Sequence, residues 1–102
     1  QTQGEDVLLI KQQGEVLAFI SIWPPENFIQ HLYVLPAYQQ SGLGQSLLQF
    51  CAQRYGYPLN LNCLTTNQQA CRFYQGRGWS VAQRGFGENG AYYHFQLSAH
   101  CA

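Results

Sequence analysis

Within Tyr33 to Leu48 an apolar extended run gives way to a glycine-bearing turn and then to a helix-period pattern, so Gln39-Gln40-Ser41-Gly42-Leu43-Gly44-Gln45 sits between a strand and a helix N-terminus. The first backbone N–H groups of a helix have no intrahelical acceptor, and the helix dipole places partial positive charge at the same end. A phosphate is held there by main chain alone. Gly42 and Gly44 lack Cβ atoms and take φ > 0 freely, which lets successive N–H groups converge on one anion. The chemistry these residues suggest is therefore the binding of a phosphate or pyrophosphate. Cys51, Cys63, Cys71 and Cys101 are too widely spaced for a paired-thiolate zinc motif. All four read as free thiols, and no metal site is expected.

The elements that would position this loop follow from periodicity. Val7 to Lys11 and Val16 to Trp23 are apolar runs around the polar turn Gln12-Gln13-Gly14-Glu15 and predict a hairpin. Pro24-Pro25 interrupts the ladder, and Phe28 to Leu35 predicts a third strand completing a meander. After Pro36, the positions Leu43, Leu47, Phe50 and Cys51 form one helical stripe, ended by Gly56 and Pro58. Leu59 to Leu64 predicts a strand reached through a helix, and so a parallel crossover. A second helix follows, capped by Thr66 or Asn67, with Ala70, Phe73 and Tyr74 on one face. Trp79 to Gln83 and Tyr92 to Leu97 predict strands joined by a glycine-rich loop over Gly85 to Gly90.

At 102 residues the chain is expected to form one domain over residues 1–102. Its 46% apolar content argues for a folded core, and a net charge of zero argues against a nucleic-acid partner. The charge is uneven. Residues 1–26 carry a balance of −3 and the remainder, which holds the proposed phosphate loop, +3. No stretch approaches a membrane span and no signal peptide pattern is present, so a cytoplasmic location without membrane association is expected. Methionine is absent, which suggests a trimmed or partial form of a longer chain.

The spacing Gln39-x-x-Gly42-x-Gly44 resembles the acyl-CoA pyrophosphate loop of the GNAT superfamily of N-acetyltransferases. Leu32-Tyr33-Val34-Leu35-Pro36 upstream resembles that family's central strand. Asn67-x-x-Ala70-x-x-Phe73-Tyr74 with Gly78-Trp79 resembles its second cofactor motif. The resemblance spans Phe28 to about Leu97 and implies an α/β (α+β) GNAT fold of order βββαβαββ. Its sheet is expected to be mixed and mostly antiparallel, with a central parallel pair splayed around acyl-CoA. Relative to the family, the usual first strand and first two helices are lacking, which leaves open how the acceptor site is walled.

The resemblance also implies roles. Acetyl transfer needs both substrates held together, an oxyanion donor, a base for the ammonium and an acid for the leaving thiolate. Acetyl-CoA is the implied cofactor, bound by Val34, Leu35, Gln39, Gln40, Ser41, Gly42, Leu43, Gly44, Gln45, Asn67, Phe73 and Tyr74. A strand bulge near Val34 and Leu35 is expected, with the Leu35 N–H as oxyanion donor. Tyr74 occupies the general-acid position; by period alone it reads as a core aromatic beside Phe73. Asn67 contacts the cofactor or simply caps its helix. Arg72 and Arg77 screen phosphates or form a solvated face. His31 is the candidate base on a strand where relatives place a glutamate or a water relay, and a structural histidine is the alternative. His94 and His100 show no partner spacing and read as structural.

These readings converge on an acetyl-CoA-dependent N-acetyltransferase acting on a primary amine of a small molecule, peptide or protein. The competing function is a non-catalytic acyl-CoA-binding module that regulates a partner protein. The missing helical layer would leave apolar sheet surface uncovered, so a homodimer is expected.

Overall fold

A computed structural model describes residues 4–99; Cys101 and His100, read above as a free thiol and a structural histidine, lie outside them. The elements run in the expected order βββαβαββ, and the class is α+β. They form two compact units that divide after Gly56.

In the first unit, β1 (Asp6–Gln12) and β2 (Glu15–Trp23) pair antiparallel through a two-residue turn. Gln13 and Gly14 both have positive φ, 52° and 82°, the turn that matches the twist of its flanking strands. Pro24–Glu26 forms one 3-10 turn, and Asn27 in the left-handed region starts β3 (Phe28–Val34), which pairs antiparallel with β2. The Asn27 Nδ2 donates to the carbonyls of Tyr55 and Gly56 at 3.3 and 3.2 Å. It thereby satisfies two acceptors at the end of α1 (Leu43–Tyr55) that the helix itself cannot. At that same end the Tyr55 hydroxyl donates to Asp6 Oδ2 at 2.7 Å and ties helix to β1.

The buried stripe of α1 is Leu47, Leu48, Cys51 and Ala52, facing a core that includes Ala18, Ile20, Ile22 and Ile29. The helix is rotated from the expected stripe: Phe50 is 48% exposed and Leu48 is buried in its stead. Each buried leucine contributes about 1.5–3 kcal/mol. On the alternate face of the strands, Leu9 pairs with Phe19 and Phe19 with Tyr33, a row of which Leu9 and Tyr33 are exposed.

In the second unit, β6 (Gly90–Leu97) pairs antiparallel with both β4 (Leu59–Leu64) and β5 (Ser80–Gly87). The alternation of β4 is explicit: Leu59, Leu61 and Cys63 are buried, opposite Leu97, Phe95 and Tyr93. The second helix, α2 (Gln68–Gln75), packs on β4. The glycine-rich segment expected as a loop is strand almost throughout, and only Glu88-Asn89 turns. The reason lies at Gly85, where a Cβ would occupy the position of the Tyr92 ring. An aromatic laid across a bare glycine extends the hairpin instead of breaking it. Among the described residues no helix is long and apolar enough to cross a membrane.

Candidate acyl-donor site

The loop after β3 is built by its own hydrogen bonds. Pro36–Tyr38 makes a 3-10 turn, with the Tyr38 N–H on the Leu35 carbonyl at 2.8 Å and the Gln39 N–H on the Pro36 carbonyl at 3.3 Å. The Ser41 N–H and hydroxyl both donate to the Tyr38 carbonyl, which turns that amide inward and removes it from the expected anion cradle. Gln40 (φ 65°) and Gly42 (φ 92°) then take left-handed conformations. Gly42 caps α1 without any side-chain capping bond. The first intrahelical bond is Ser46 N–H to the Gly42 carbonyl at 2.9 Å, so the N–H groups of Leu43, Gly44 and Gln45 have no helical acceptor. The Gly42 Cβ position is open, with no atom within 4 Å. Gln45 Oε1 is the buried side-chain acceptor without a partner among the described residues, and a donor from water or from a ligand would satisfy it. Free amides, a left-handed glycine and an orphaned acceptor together suit a ligand carrying both phosphate and N–H or O–H groups.

The strand leading into this loop departs from expectation in two ways. The register of β2 against β3 shifts between Ser21 and Ile22, with Gln30 as the extra residue, and not at Val34 and Leu35. The Leu35 N–H donates to the Leu17 carbonyl at 2.8 Å, which removes it as an oxyanion donor. In an antiparallel pair the bonded edge alternates residue by residue. Leu35 and Tyr33 therefore direct their amides to β2, and Val34 directs its own to the opposite edge. The Val34 carbonyl accepts from Gln39 Nε2 at 3.2 Å, so Gln39 braces the strand end within the loop. His31 Nδ1 lies 3.3 Å from the hydroxyl of buried Ser21, which orients an otherwise exposed ring by one nitrogen.

The second unit carries the aromatic residues. Asn67 caps α2, its Oδ1 accepting from the Ala70 N–H at 3.2 Å. That is the simpler of its two expected roles. Phe73 stands edge-on to Tyr74, with ring centroids 5.2 Å apart, and carries the Arg77 guanidinium 3.9 Å above its own centroid. Tyr74 also meets Trp79 at 5.5 Å and Phe95 at 5.8 Å. Tyr74 is thus packed as an aromatic among aromatics, the role its helical period suggests. Burial pushes that phenol up to about 12, with the neighbouring Cys63 adding to the shift, so it holds its proton throughout the neutral range. Cys51, Cys63 and Cys71 are buried free thiols, the last two with sulfurs 3.7 Å apart. No group of three or more metal-ligating side chains occurs among the described residues.

These shifts have a sign. Burial raises Cys51 to about 11 from an ordinary 9.0, and burial with the Cys71 hydrogen bond raises Cys63 to about 12 from the same value. The unfolded chain releases these protons first, so the stability they contribute is fully present below pH 9 and is lost as pH rises toward 12. Thermal melts should hold steady up to about pH 9 and fall above it. A melting temperature that climbs across that range would contradict the burial of these groups.

Sequence reading missed one cluster. His94 is not partnerless: Nδ1 lies 3.0 Å from Asn62 Oδ1 and Nε2 lies 3.0 Å from Asn60 Oδ1. The signal was the matched alternation of polar residues in β4 and β6, legible only once their register is known.

Residues 3–81 match the acetyltransferase (GNAT) domain family. A curated relative, the peptidyl-lysine N-acetyltransferase YiaC of Escherichia coli K12, is 32% identical over 71 residues, 70% of this chain and 47% of the relative. The chain thus spans about half the length of that relative. Among solved structures, a Bacillus anthracis protein in complex with acetyl coenzyme A superposes with a TM-score of 0.79 at 17% identity, covering 97% of this chain and 65% of that one. The ribosomal-protein-S18-alanine N-acetyltransferase of Escherichia coli superposes with a TM-score of 0.73 at 21% identity, covering all of this chain (100%) and 74% of the other. At these identities the solved structures establish the fold.

Proposed function

This chain belongs to the GNAT acetyltransferase family, and from that membership we propose that it transfers an acetyl group from acetyl-CoA to a primary amine. The observation that carries this reading is the Gln40–Gln45 turn, where Gly42 at φ 92° precedes three N–H groups without helical acceptors. Acetyl-CoA supplies a thioester, and its pyrophosphate is assigned to the amides of Gly42, Leu43, Gly44 and Gln45. Gln45 Oε1 accepts from a donor of the same ligand. Val34, with its amide directed away from β2, replaces Leu35 as the donor to the developing oxyanion. The amine nitrogen forms a bond to the acetyl carbon as the carbon–sulfur bond breaks. Tyr74 gives its phenolic proton to the departing sulfur, and His31 takes the proton from the amine through its outward nitrogen.

The family match over residues 3–81 begins in the first compact unit and extends into the second, which supports one acetyltransferase domain over residues 1–102. The cytoplasm is the compartment in which free thiols such as Cys51, Cys63 and Cys71 persist, and the activity is assigned there. The likeness to a peptidyl-lysine acetyltransferase makes lysine-bearing peptides the first acceptors to test. CoA release measured across lysine peptides, N-terminal peptide amines and small amines should show turnover with at least one class. Acetyl-CoA binding without release on any amine would replace the enzyme by an acyl-CoA-binding module.

The same reading includes self-association. Leu9 is 51% exposed, Tyr33 42% and Val7 55%, an apolar row on the side of the strands away from the buried core of α1, and a second copy is the assigned cover. Sedimentation at tens of micromolar should give a dimer, and Leu9→Asp a monomer. A monomeric wild type contradicts this assignment.

A further inference from the structure

Acetyl transfer as assigned above leaves two buried nucleophiles of the second unit unused. Cys63 ends the buried alternation of β4 after Leu59 and Leu61, and Cys71 is the one buried residue of α2, so strand parity and helix phase deliver both to the same strand–helix interface. Their sulfurs lie 3.7 Å apart. The Leu64 carbonyl lies 3.5 Å from Cys71 Sγ and 3.7 Å from Cys63 Sγ, and it also accepts the Asn67 N–H at 3.0 Å, which ties the end of β4 to the start of α2. A disulfide needs its sulfurs about 2 Å apart, so the pair stands about 1.7 Å short of a bond. Both residues are 7% exposed, whereas Cys51 in the first unit is 0% exposed. A small oxidant therefore meets the pair before it meets Cys51.

Closing such a pair takes a two-electron oxidant, and a hydroperoxide is one. One sulfur, as its thiolate, attacks a peroxide oxygen and becomes a sulfenic acid while hydroxide leaves and takes up the thiol proton; the second thiol then attacks that sulfur and releases water. Two thiols and one hydrogen peroxide give one disulfide and two waters. The neighbour at 3.7 Å captures the sulfenic acid before more peroxide carries it to the irreversible sulfinic stage. Burial and the Cys71 hydrogen bond push Cys63 up to about 12, so its thiolate is scarce at neutral pH and closure answers sustained oxidant, not a brief pulse. Tyr74 lies three residues beyond Cys71 on the same side of α2, and its phenol is near enough to Cys63 to be shifted by it. Drawing Cys71 toward β4 moves the turn that carries Tyr74.

We propose that Cys63 and Cys71 form a redox modification site, closed to a disulfide by a hydroperoxide and reopened by a thiol reductant, and that closure displaces Tyr74 and suspends acetyl transfer. The loss of turnover rests on the acetyltransferase reading with Tyr74 as its acid; the disulfide does not. Trypsin releases residues 55–72 as one peptide, which holds Cys63 and Cys71 and no other cysteine. After the folded protein is treated with hydrogen peroxide and then alkylated, that peptide should carry no alkyl group and lack two hydrogens, while Cys51 stays reduced. With the peroxide removed, CoA release should be lowered by about tenfold or more, the scale of a misplaced catalytic group, and dithiothreitol should restore it. Cys71→Ser should keep its turnover through the same treatment, and Cys63→Ala serves as the control if serine at 71 unfolds the chain. The Trp79 ring lies 5.5 Å from Tyr74, so a shift of its indole N–H resonance on oxidation reports the displacement without any turnover. A 55–72 peptide that still alkylates at both sulfurs, or that gains oxygen instead of losing hydrogen, overturns the site. A disulfide that leaves turnover unchanged in an active protein overturns the control of Tyr74. A disulfide with a shifted Trp79 resonance in a protein that turns over no amine upholds the site and the displacement, and overturns the acetyltransferase reading.

Discussion

Gly42→Val is expected to abolish acetyl-CoA binding in a protein that remains folded. The substitution meets no crowding, because no atom lies within 4 Å of the Cβ position. Its effect comes through the backbone. Gly42 sits at φ 92°, and a β-branched residue held there is strained by about 1–2 kcal/mol. The loop relieves that strain by swinging φ negative, which reorients the peptide planes on either side and scatters the amides of residues 42–45. Each charge-assisted hydrogen bond lost costs about 1.5–3 kcal/mol, and two of them lower affinity by about 10²-fold or more. Calorimetry should therefore show no saturable binding, while circular dichroism shows native secondary structure and a modestly lowered melting temperature. Wild-type affinity in folded Gly42→Val would mean that the phosphates lie elsewhere.

Tyr74→Phe carries the other large effect. The ring sits among Phe73, Trp79 and Phe95, so phenylalanine preserves the packing and removes one hydroxyl. Stability and acetyl-CoA affinity should change little. Turnover should fall by about 10²-fold, the usual consequence of losing a positioned acid. Because burial holds the phenol near 12, no alkaline limb of the wild-type rate below about pH 11 should belong to it. An unchanged kcat in the folded variant would return Tyr74 to the core and remove it from the chemistry.

The elements legible in the sequence were those set by local signals. The Gln13-Gly14 turn, β4 between Leu59 and Leu64, and the start of α1 after Gly42 all follow from composition and period. The features that were misjudged depend on partners distant in sequence. Whether Phe50 or Leu48 faces the core is a matter of helix phase against β2 and β3, which the stripe alone does not determine. The direction of the Leu35 amide depends on parity in a ladder whose bulge falls at Gln30. His94 acquires its carboxamide partners from a strand 32 and 34 residues earlier. The hairpin through Gly85 stands because Tyr92 lies over it, a contact that a glycine count reads as a break. Within the candidate site, the left-handed turn into α1 was legible because it is one continuous segment. Which amide near the end of β3 is left unbonded by β2 was not, because one residue of register exchanges Leu35 for Val34.

The central claim is that acetyl-CoA is held by the main chain at the start of α1. The direct measurement is a titration of the 15N-labelled protein with acetyl-CoA, followed through the backbone amide resonances. Saturable shifts should be largest at Gly42, Leu43, Gly44 and Gln45, accompanied by the side-chain amide of Gln45, with a stoichiometry of one ligand per chain. Absence of binding, or saturable shifts that leave those four amides in place, would contradict it.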